Sequence, residues 1–163
     1  MPADFYLKLG DVQGDSTVSG HEKQIELMSV SLGTSMPVGS RSSGGSATVG
    51  KVNISDVSLT KQTDSSSTAL FLASCQGTHY DEATISINRP DGQGNLVEYA
   101  LWTLSDVVVS SYAHSAAGSD MPMESISLNF GAITLTYTPT DPATGAAQGS
   151  LTAGWDVGQN KPA

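Results

Sequence analysis

Segments in which apolar and polar residues alternate, separated by Gly- and Ser-rich turns, recur along most of the chain. The clearest are residues 125–130 and 132–138, whose period of two is that of a half-buried β-strand. A turn signal at residues 90–95 (PDGQGN) joins the strands predicted at residues 83–89 and 96–104 into a hairpin, and residues 106–112 are predicted as a separate strand. Eight or nine such strands predict an all-β protein, either an antiparallel barrel or a sandwich.

One stretch, residues 61–77 (KQTDSSSTALFLASCQG), favours a helix instead. Asp64 or Ser65 can accept hydrogen bonds from the N–H groups of the first turn, and Gly77 suits the end because glycine enters the left-handed conformation without strain. We predict one short α-helix at about residues 65–76. A helix of this length is marginal alone, so we expect it to pack against a barrel of two packed sheets.

The 163-residue chain has the length of a single domain, residues 1–163. Its net charge of −9 argues against binding to nucleic acid or to an anionic membrane surface, and its apolar runs are too short for membrane insertion. Because Cys75 is the single cysteine, no internal disulfide forms, and we expect this residue to be buried as a small hydrophobic side chain. The N-terminal residues contain no basic region followed by a long apolar run, so we expect synthesis in the cytoplasm without a secretory signal.

No combination of residues predicts catalysis, a metal site or a cofactor site. Residues 45–51 (GSATVGK) match most of a phosphate-binding loop, but Val52 stands where the magnesium-binding hydroxyl is needed. His21 and Glu22 begin a zinc-protease motif, but Ile25 occupies the position of the second histidine. We therefore predict that the protein is not an enzyme and binds no cofactor.

Residues 24–32 (QIELMSVSL) have the pattern of an unusual strand. Ile25 and Leu27 fall on one face, and the next apolar residues fall on the other: Met28, Val30 and Leu32. Either a bulge changes the phase, or both faces are buried, one of them against another subunit. Residues 33–50 follow as a long Gly- and Ser-rich loop with little apolar content, which is typical of a segment ordered by a partner.

Several longer motifs occur in a fixed order between Phe5 and Asn160. They are KLGDVQGDS, HEKQIELMSVSLG, GKVNISDVSLTKQTDSSSTAL, EYALWTLSDVVVSSY, ESISLNFGAITLTY and GWDVGQN. Together they resemble the haemolysin-coregulated protein (Hcp) family of the bacterial type VI secretion system. No single motif is diagnostic; the ordered set, which covers nearly the whole chain, carries the resemblance.

The resemblance implies an antiparallel β-barrel of two sheets with one helix, and a structural subunit rather than an enzyme. It further implies homohexameric rings that stack into the inner tube of a contractile injection machine. The implied partners are further copies of the chain, a VgrG-type spike, a contractile sheath and small effectors in the lumen. The protein would be assembled in the bacterial cytoplasm and then secreted, without a signal peptide, to the medium or a target cell.

By the same resemblance, Ser31 is the residue expected to face the lumen and its cargo. Contacts within or between rings are expected from the strand and loop that surround it: Met28, Val30, Leu32, Ser35, Met36, Val38 and Arg41. The alternative function is a monomeric β-sandwich binding module. Trp102 and Trp155 would then be the candidate stacking residues, although their alternating positions favour burial in a core or an interface.

Overall fold

The computed structural model describes residues 4–39, 49–141, 143–144 and 147–163. These residues form one α-helix, α1 (Ser67–Gln76), and twelve β-strands. The strands are β1 (Asp4–Leu9), β2 (Ile25–Leu27), β3 (Ser29–Ser31), β4 (Thr34–Ser35), β5 (Asn53–Ile54), β6 (Val57–Gln62), β7 (His79–Pro90), β8 (Leu96–Ser115), β9 (Met123–Asn129), β10 (Ala132–Tyr137), β11 (Leu151–Asp156) and β12 (Lys161–Pro162). The predicted all-β class with one short helix is confirmed.

Ten strands form one antiparallel sheet, and β4 and β5 form a second, two-stranded sheet. In the large sheet, β12, β11, β10, β8, β7, β1 and β2 follow one another in that order. A branch continues from the second half of β8 through β9 and β6 to β3. The predicted closed barrel is not found, because β2 and β3, at the two ends of this path, are not paired with each other.

The chain itself joins those two ends at Met28. Ile25 and Leu27 are buried, Met28 is exposed, and Val30 is again packed towards the core, so the inward phase changes at this residue. The Met28 N–H donates to the carbonyl oxygen of Thr60 at 2.7 Å. Of the two alternatives, the change of phase is the one found, and it takes the form of a bend between two strands: the segment pairs with β1 before the bend and with β6 after it.

The predicted hairpin at residues 90–95 is confirmed and connects β7 to β8. Asp91 Oδ1 accepts hydrogen bonds from the N–H groups of Gln93 (2.6 Å) and Asn95 (3.1 Å), which fixes the turn. Two separate strands were predicted after this turn, at residues 96–104 and 106–112. They are one continuous strand, because Asp106 adopts a φ of 52° and bends the chain without ending its pairing.

Helix α1 begins two residues later than predicted, with Ser66 at its N-cap position. The predicted cap Asp64 contributes, since its Oδ1 accepts from the Ser66 N–H at 2.9 Å. Gly77 ends the helix with a φ of 64°, as predicted. Leu70 and Ala73 are buried in the core, but the prediction that Cys75 is buried is wrong, because it lies on the outward side of the helix and is exposed.

The long loop after β3 is more regular than predicted where it is described. Thr34 pairs with Ile54, and further out Val38 pairs with Val49, so the two sides of the loop run antiparallel. We call residues 33–39 and 49–54 the arm. None of the described residues belongs to a helix long and apolar enough to cross a membrane.

Candidate functional site

Four strands present a row of hydroxyl groups across one exposed side of the large sheet. Ser31 in β3 lies opposite Ser58 in β6. Ser58 lies opposite Ser127 in β9, and Ser127 lies opposite Ser111 in β8. We call the outward side of these four strands the serine face. In β3, β6 and β9 it exists because apolar residues that point to the core alternate with hydroxyl residues that point away. In β8 a register shift between Val109 and Ser111 places Ser111 opposite Ser127.

A second row runs beside the first. Ser29 lies opposite Thr60, and Thr60 opposite Ser125, which in turn lies opposite Ala113. The Ser29 and Thr60 hydroxyls are hydrogen bonded across the strands. The side chains are short and mostly exposed, so the face is shallow and accessible to solvent.

The serine face has no charged side chain in its three shorter strands. Lys61 and Glu124 are the charged residues in β3, β6 and β9, and both point to the opposite side of the sheet. At one margin, Asp56 accepts hydrogen bonds from Ser110 Oγ (2.6 Å) and Asn129 Nδ2 (2.9 Å). A chain with a net charge of −9 thus keeps this surface neutral.

Behind the serine face, Lys61 and Glu124 form a fully buried ion pair, with Nζ 2.7 Å from Oε2. Lys61 Nζ also donates to Ser67 Oγ (3.2 Å) and lies 3.0 Å from Asp64 Oδ1. Ser67 Oγ and the Tyr112 hydroxyl both donate to the Glu124 carboxylate. This cluster fastens the first turn of α1 to β6, β9 and β8, the strands of the serine face.

The cluster shifts two pKa values in opposite directions. Burial alone would raise the pKa of Glu124, but hydrogen bonds from Lys61, Tyr112 and Ser67 outweigh it and leave this pKa lowered. Burial, together with the hydrogen bond to Glu124, raises the pKa of Tyr112 to about 12. Both groups therefore favour the protonation states that exist near neutral pH.

We expect the free energy of unfolding to fall at both ends of the pH range. A lowered carboxyl pKa contributes stability above its ordinary value of 4.5, and this contribution disappears as the pH falls through the folded-state pKa of Glu124. A raised phenol pKa contributes stability below 10.0, and this is lost as the pH rises towards about 12. Urea unfolding across the pH range measures both limbs. Tyr112→Phe should weaken the alkaline limb, and an unchanged limb would contradict this assignment.

A second candidate surface is an apolar groove of about 310 Å³ between the arm and the sheet. Leu32 and Met36 line one wall, and Leu135 and Trp155 line the other. Trp155 Nε1 is buried and has no hydrogen-bond partner among the described residues. The lining of the groove is thus mainly apolar.

The sequence over residues 6–137 matches the family described as "Type VI secretion system effector, Hcp". The chain belongs to the Hcp family. It is also 38% identical over 162 residues to the protein Hcp1 of Pseudomonas aeruginosa, with 98% of each chain covered.

Solved structures agree with this assignment. A structure described as a type six secretion system protein superposes with a TM-score of 0.91 at 30% identity, covering 99% of this chain and all of the other. Hcp1 from Salmonella typhimurium has the same fold, with a TM-score of 0.80, 23% identity and full coverage of both chains. The protein is therefore a type VI secretion Hcp protein of structural character.

The residues that the resemblance to the Hcp family singled out lie in different environments. Ser31 is exposed on the serine face, whereas Val30 and Leu32 are half-buried against the core. Four others are exposed: Met28, Ser35, Met36 and Val38. Arg41 lies outside the described residues. Their roles in contacts between Hcp subunits stay predictions.

Sequence reasoning singled out Ser31 but missed its neighbours in the Hcp serine face. Ser58, Ser111 and Ser127 align with it only through strand pairing, which joins residues far apart in sequence. The available signal was the repeated Ser–apolar alternation within each strand, in SVS and SISL for example.

The histidines considered as metal ligands contact neighbouring side chains instead. His21 stacks on Tyr6 with ring centroids 4.3 Å apart, and His79 pairs with the Asp106 carboxylate at 2.9 Å. Among the described residues, no three His, Cys, Asp or Glu side chains converge as a metal site. Trp102 and Trp155 are half-buried, so neither presents an open aromatic surface.

Proposed function

We propose that the chain is a structural subunit of the inner tube of the type VI secretion system. Six copies form a ring, rings stack into a tube, and the serine face of each copy lines the lumen. The observation that carries this proposal is the neutral, exposed face of aligned hydroxyls in a protein of the Hcp family. A lumen-lining role explains why this sheet surface carries no charge and is also not apolar enough to pack against another surface.

A hydroxyl wall suits a passage for proteins. Hydroxyl groups exchange hydrogen bonds with water and cargo at little net gain, so contacts are individually weak. A neutral lining also avoids strong attraction or repulsion of charged cargo, which fixed charges would impose at short range. Small effectors are then held by many weak contacts and released when the tube dissociates.

Membership of the family supports the remaining parts of the proposal. The subunit is assembled in the bacterial cytoplasm, meets a VgrG-type spike and a contractile sheath, and is itself secreted. Its function is structural rather than enzymatic.

The ring is tested by the native mass of the purified protein. Light scattering on a sizing column should give six times the chain mass of 16.8 kDa, and negative-stain images of that peak should contain open-centred rings. A strictly monomeric protein at every concentration and salt tested would refute the ring.

Ser31→Tyr should leave rings intact but reduce the retention of a small effector about tenfold, roughly 1.4 kcal/mol, because six bulky side chains would narrow the lumen. Copurification of the effector with rings measures this. Ser19→Tyr, at an exposed turn away from the serine face, is the control and should retain cargo normally. Equal retention of the effector by the two variants would contradict the placement of Ser31 in the lumen.

A further inference from the structure

The arm continues the pairing of β3 with β6 after an irregularity. Ser31 pairs with Ser58 in the large sheet, and Thr34 pairs with Ile54 in the arm. Two residues separate these pairs on the first side of the hairpin, and three, residues 55–57, separate them on the second. One extra residue on one side of an antiparallel pair is a β-bulge, which bends the strand and increases its twist. The arm therefore leaves the large sheet at a bend.

The arm also has backbone pairing of its own further out. Between the last pair of β4 with β5 and the bridge from Val38 to Val49, two residues lie on the first side and three on the second. In this interval the Gly50 N–H donates to the Pro37 carbonyl oxygen at 2.9 Å. The described part of the arm is thus a hydrogen-bonded hairpin within a single chain.

Gly33 and Ser55 close the base of the arm. The Ser55 N–H donates to the Gly33 carbonyl oxygen at 2.9 Å, and the Gly33 N–H donates to Ser55 Oγ at 2.9 Å. The Ser55 hydroxyl satisfies a backbone donor at the bulge, where the regular ladder is interrupted. These bonds join the two sides of the arm to each other but not to the remaining strands.

Asp56 connects the bend to two other strands. Its Oδ2 accepts from Ser110 Oγ at 2.6 Å, and its Oδ1 accepts from Asn129 Nδ2 at 2.9 Å. Ser110 lies at the register shift of β8, and Asn129 is the last residue of β9. The two oxygens of one carboxylate therefore hold the bend to two strands at once, and the charge strengthens both hydrogen bonds.

We infer that Asp56 is the positioning residue of the arm and fixes the direction in which the arm leaves the sheet before any partner binds. The inference concerns the single chain and does not rest on the proposed tube function. It replaces the expectation, based on the Gly- and Ser-rich composition, of a segment ordered by a partner. A preordered arm loses little conformational entropy when it meets a partner, so less of the binding free energy is spent on ordering it.

The direction of the arm also determines the width of the apolar groove. Met36 in the arm lines one wall of this groove, and Leu135 in β10 lines the other. Asp56 is not part of the lining, but it holds the base of the strand pair that carries Met36. A change at Asp56 thus moves one wall of the groove without altering a lining residue.

Hydrogen–deuterium exchange measured by mass spectrometry on peptides covering residues 33–39 and 49–55 tests the inference. In free subunits or isolated rings of the unmodified chain, the Gly50 and Ser55 amides should be protected, because both donate within the chain. Asp56→Ala should accelerate exchange of the arm about tenfold, because two hydrogen bonds to a charged group are lost. Exchange in β1 and β7 should not change. Asp120→Ala, which removes an exposed carboxylate outside the arm, is the matched control and should leave the arm protected.

Asp56→Asn separates the geometry of this contact from its charge. The new amide oxygen can still accept from Asn129 Nδ2. The new amide nitrogen can donate to Ser110 Oγ, whose hydroxyl then donates to the Ser127 carbonyl oxygen, 3.1 Å away. This variant should therefore retain most of the protection that Asp56→Ala loses.

The double variant Ser110→Ala/Asn129→Ala removes both donors and leaves Asp56 in place. It should accelerate exchange of the arm as much as Asp56→Ala does. The triple variant should show no further acceleration, because all three side chains belong to one contact. Additive effects would contradict the assignment of Asp56 as acting through these two partners.

Three further outcomes would overturn the inference. Unprotected arm amides in the unmodified chain would mean that the arm is ordered only by a partner. An arm that stays protected in Asp56→Ala would mean that the base holds its direction without this carboxylate. Exchange that rises equally in the arm, β1 and β7 would mean that Asp56 contributes to general stability rather than to the position of the arm.

Discussion

Lys61→Met is expected to destabilise the fold by about 3–5 kcal/mol, the usual effect of removing one partner from a buried ion pair. Methionine fills the space of the lysine stem but leaves the fully buried Glu124 carboxylate without its cation. Ser67 also loses its contact with the ammonium group. Denaturant unfolding at fixed protein concentration measures the loss, since association would otherwise shift the transition.

The double variant Lys61→Met/Glu124→Leu provides the control. It removes both charges, so no unpaired ion is buried, and it should recover a large part of the lost stability. If the single and double variants are equally unstable, shape rather than charge governs this site. If Lys61→Met is as stable as the unmodified chain, the cluster does not hold α1 to the sheet.

Gly14→Ala is expected to cost about 1–3 kcal/mol, because the added methyl group has no room. A Cβ at this position would lie 2.5 Å from the Gln24 carbonyl oxygen and 2.8 Å from Ile25 Cα, both of them backbone atoms. The Gly14 N–H also donates to the Lys23 carbonyl at 2.8 Å, so the two sides of this loop cannot separate without losing a hydrogen bond.

Gly118→Ala is the matched control, because a Cβ there would meet nothing within 4 Å. It should leave the midpoint of thermal unfolding nearly unchanged, whereas Gly14→Ala should lower it by several degrees. Equal midpoints for the two variants would mean that the loop relaxes freely around Gly14.

The strands were predictable where one local feature of the sequence was enough to identify them. Alternation located β9 and β10, and turn residues located the β7–β8 hairpin. The division of β8 into two strands was wrong because Asp106 resembles a break in sequence, while pairing with β7 and then β9 carries the strand through it. Such long-range pairing is invisible in a local pattern.

The buried ion pair was missed, although its signal was present. Lys61 follows Val57 and Leu59 at the inward phase of β6, and Glu124 precedes Ile126 at the inward phase of β9. Charged residues at inward positions contradict the usual tendency to exposure, so Lys61 was placed in the helical stretch at residues 61–77 and Glu124 was left outside the strand at residues 125–130. Only the pairing of β6 with β9 brings the two opposite charges together.

The prediction for Cys75 failed for a different reason. Its apolar neighbours Phe71 and Leu72 indicated a buried face, and sequence reasoning assigned that burial to the same chain. The helix buries its other side, through Leu70 and Ala73, and leaves this one exposed. An apolar pattern in the sequence therefore does not establish that the same chain buries that side of the helix.

The bend at Met28 separates the stability of the fold from the chemistry of the serine face. Backbone pairing to β1 before the bend and to β6 after it sets the direction of every side chain in β3. The outward positions of Ser29 and Ser31 contribute no core packing. Their side chains can therefore differ between related proteins without a loss of core packing, so one unchanged framework can present surfaces of different chemistry.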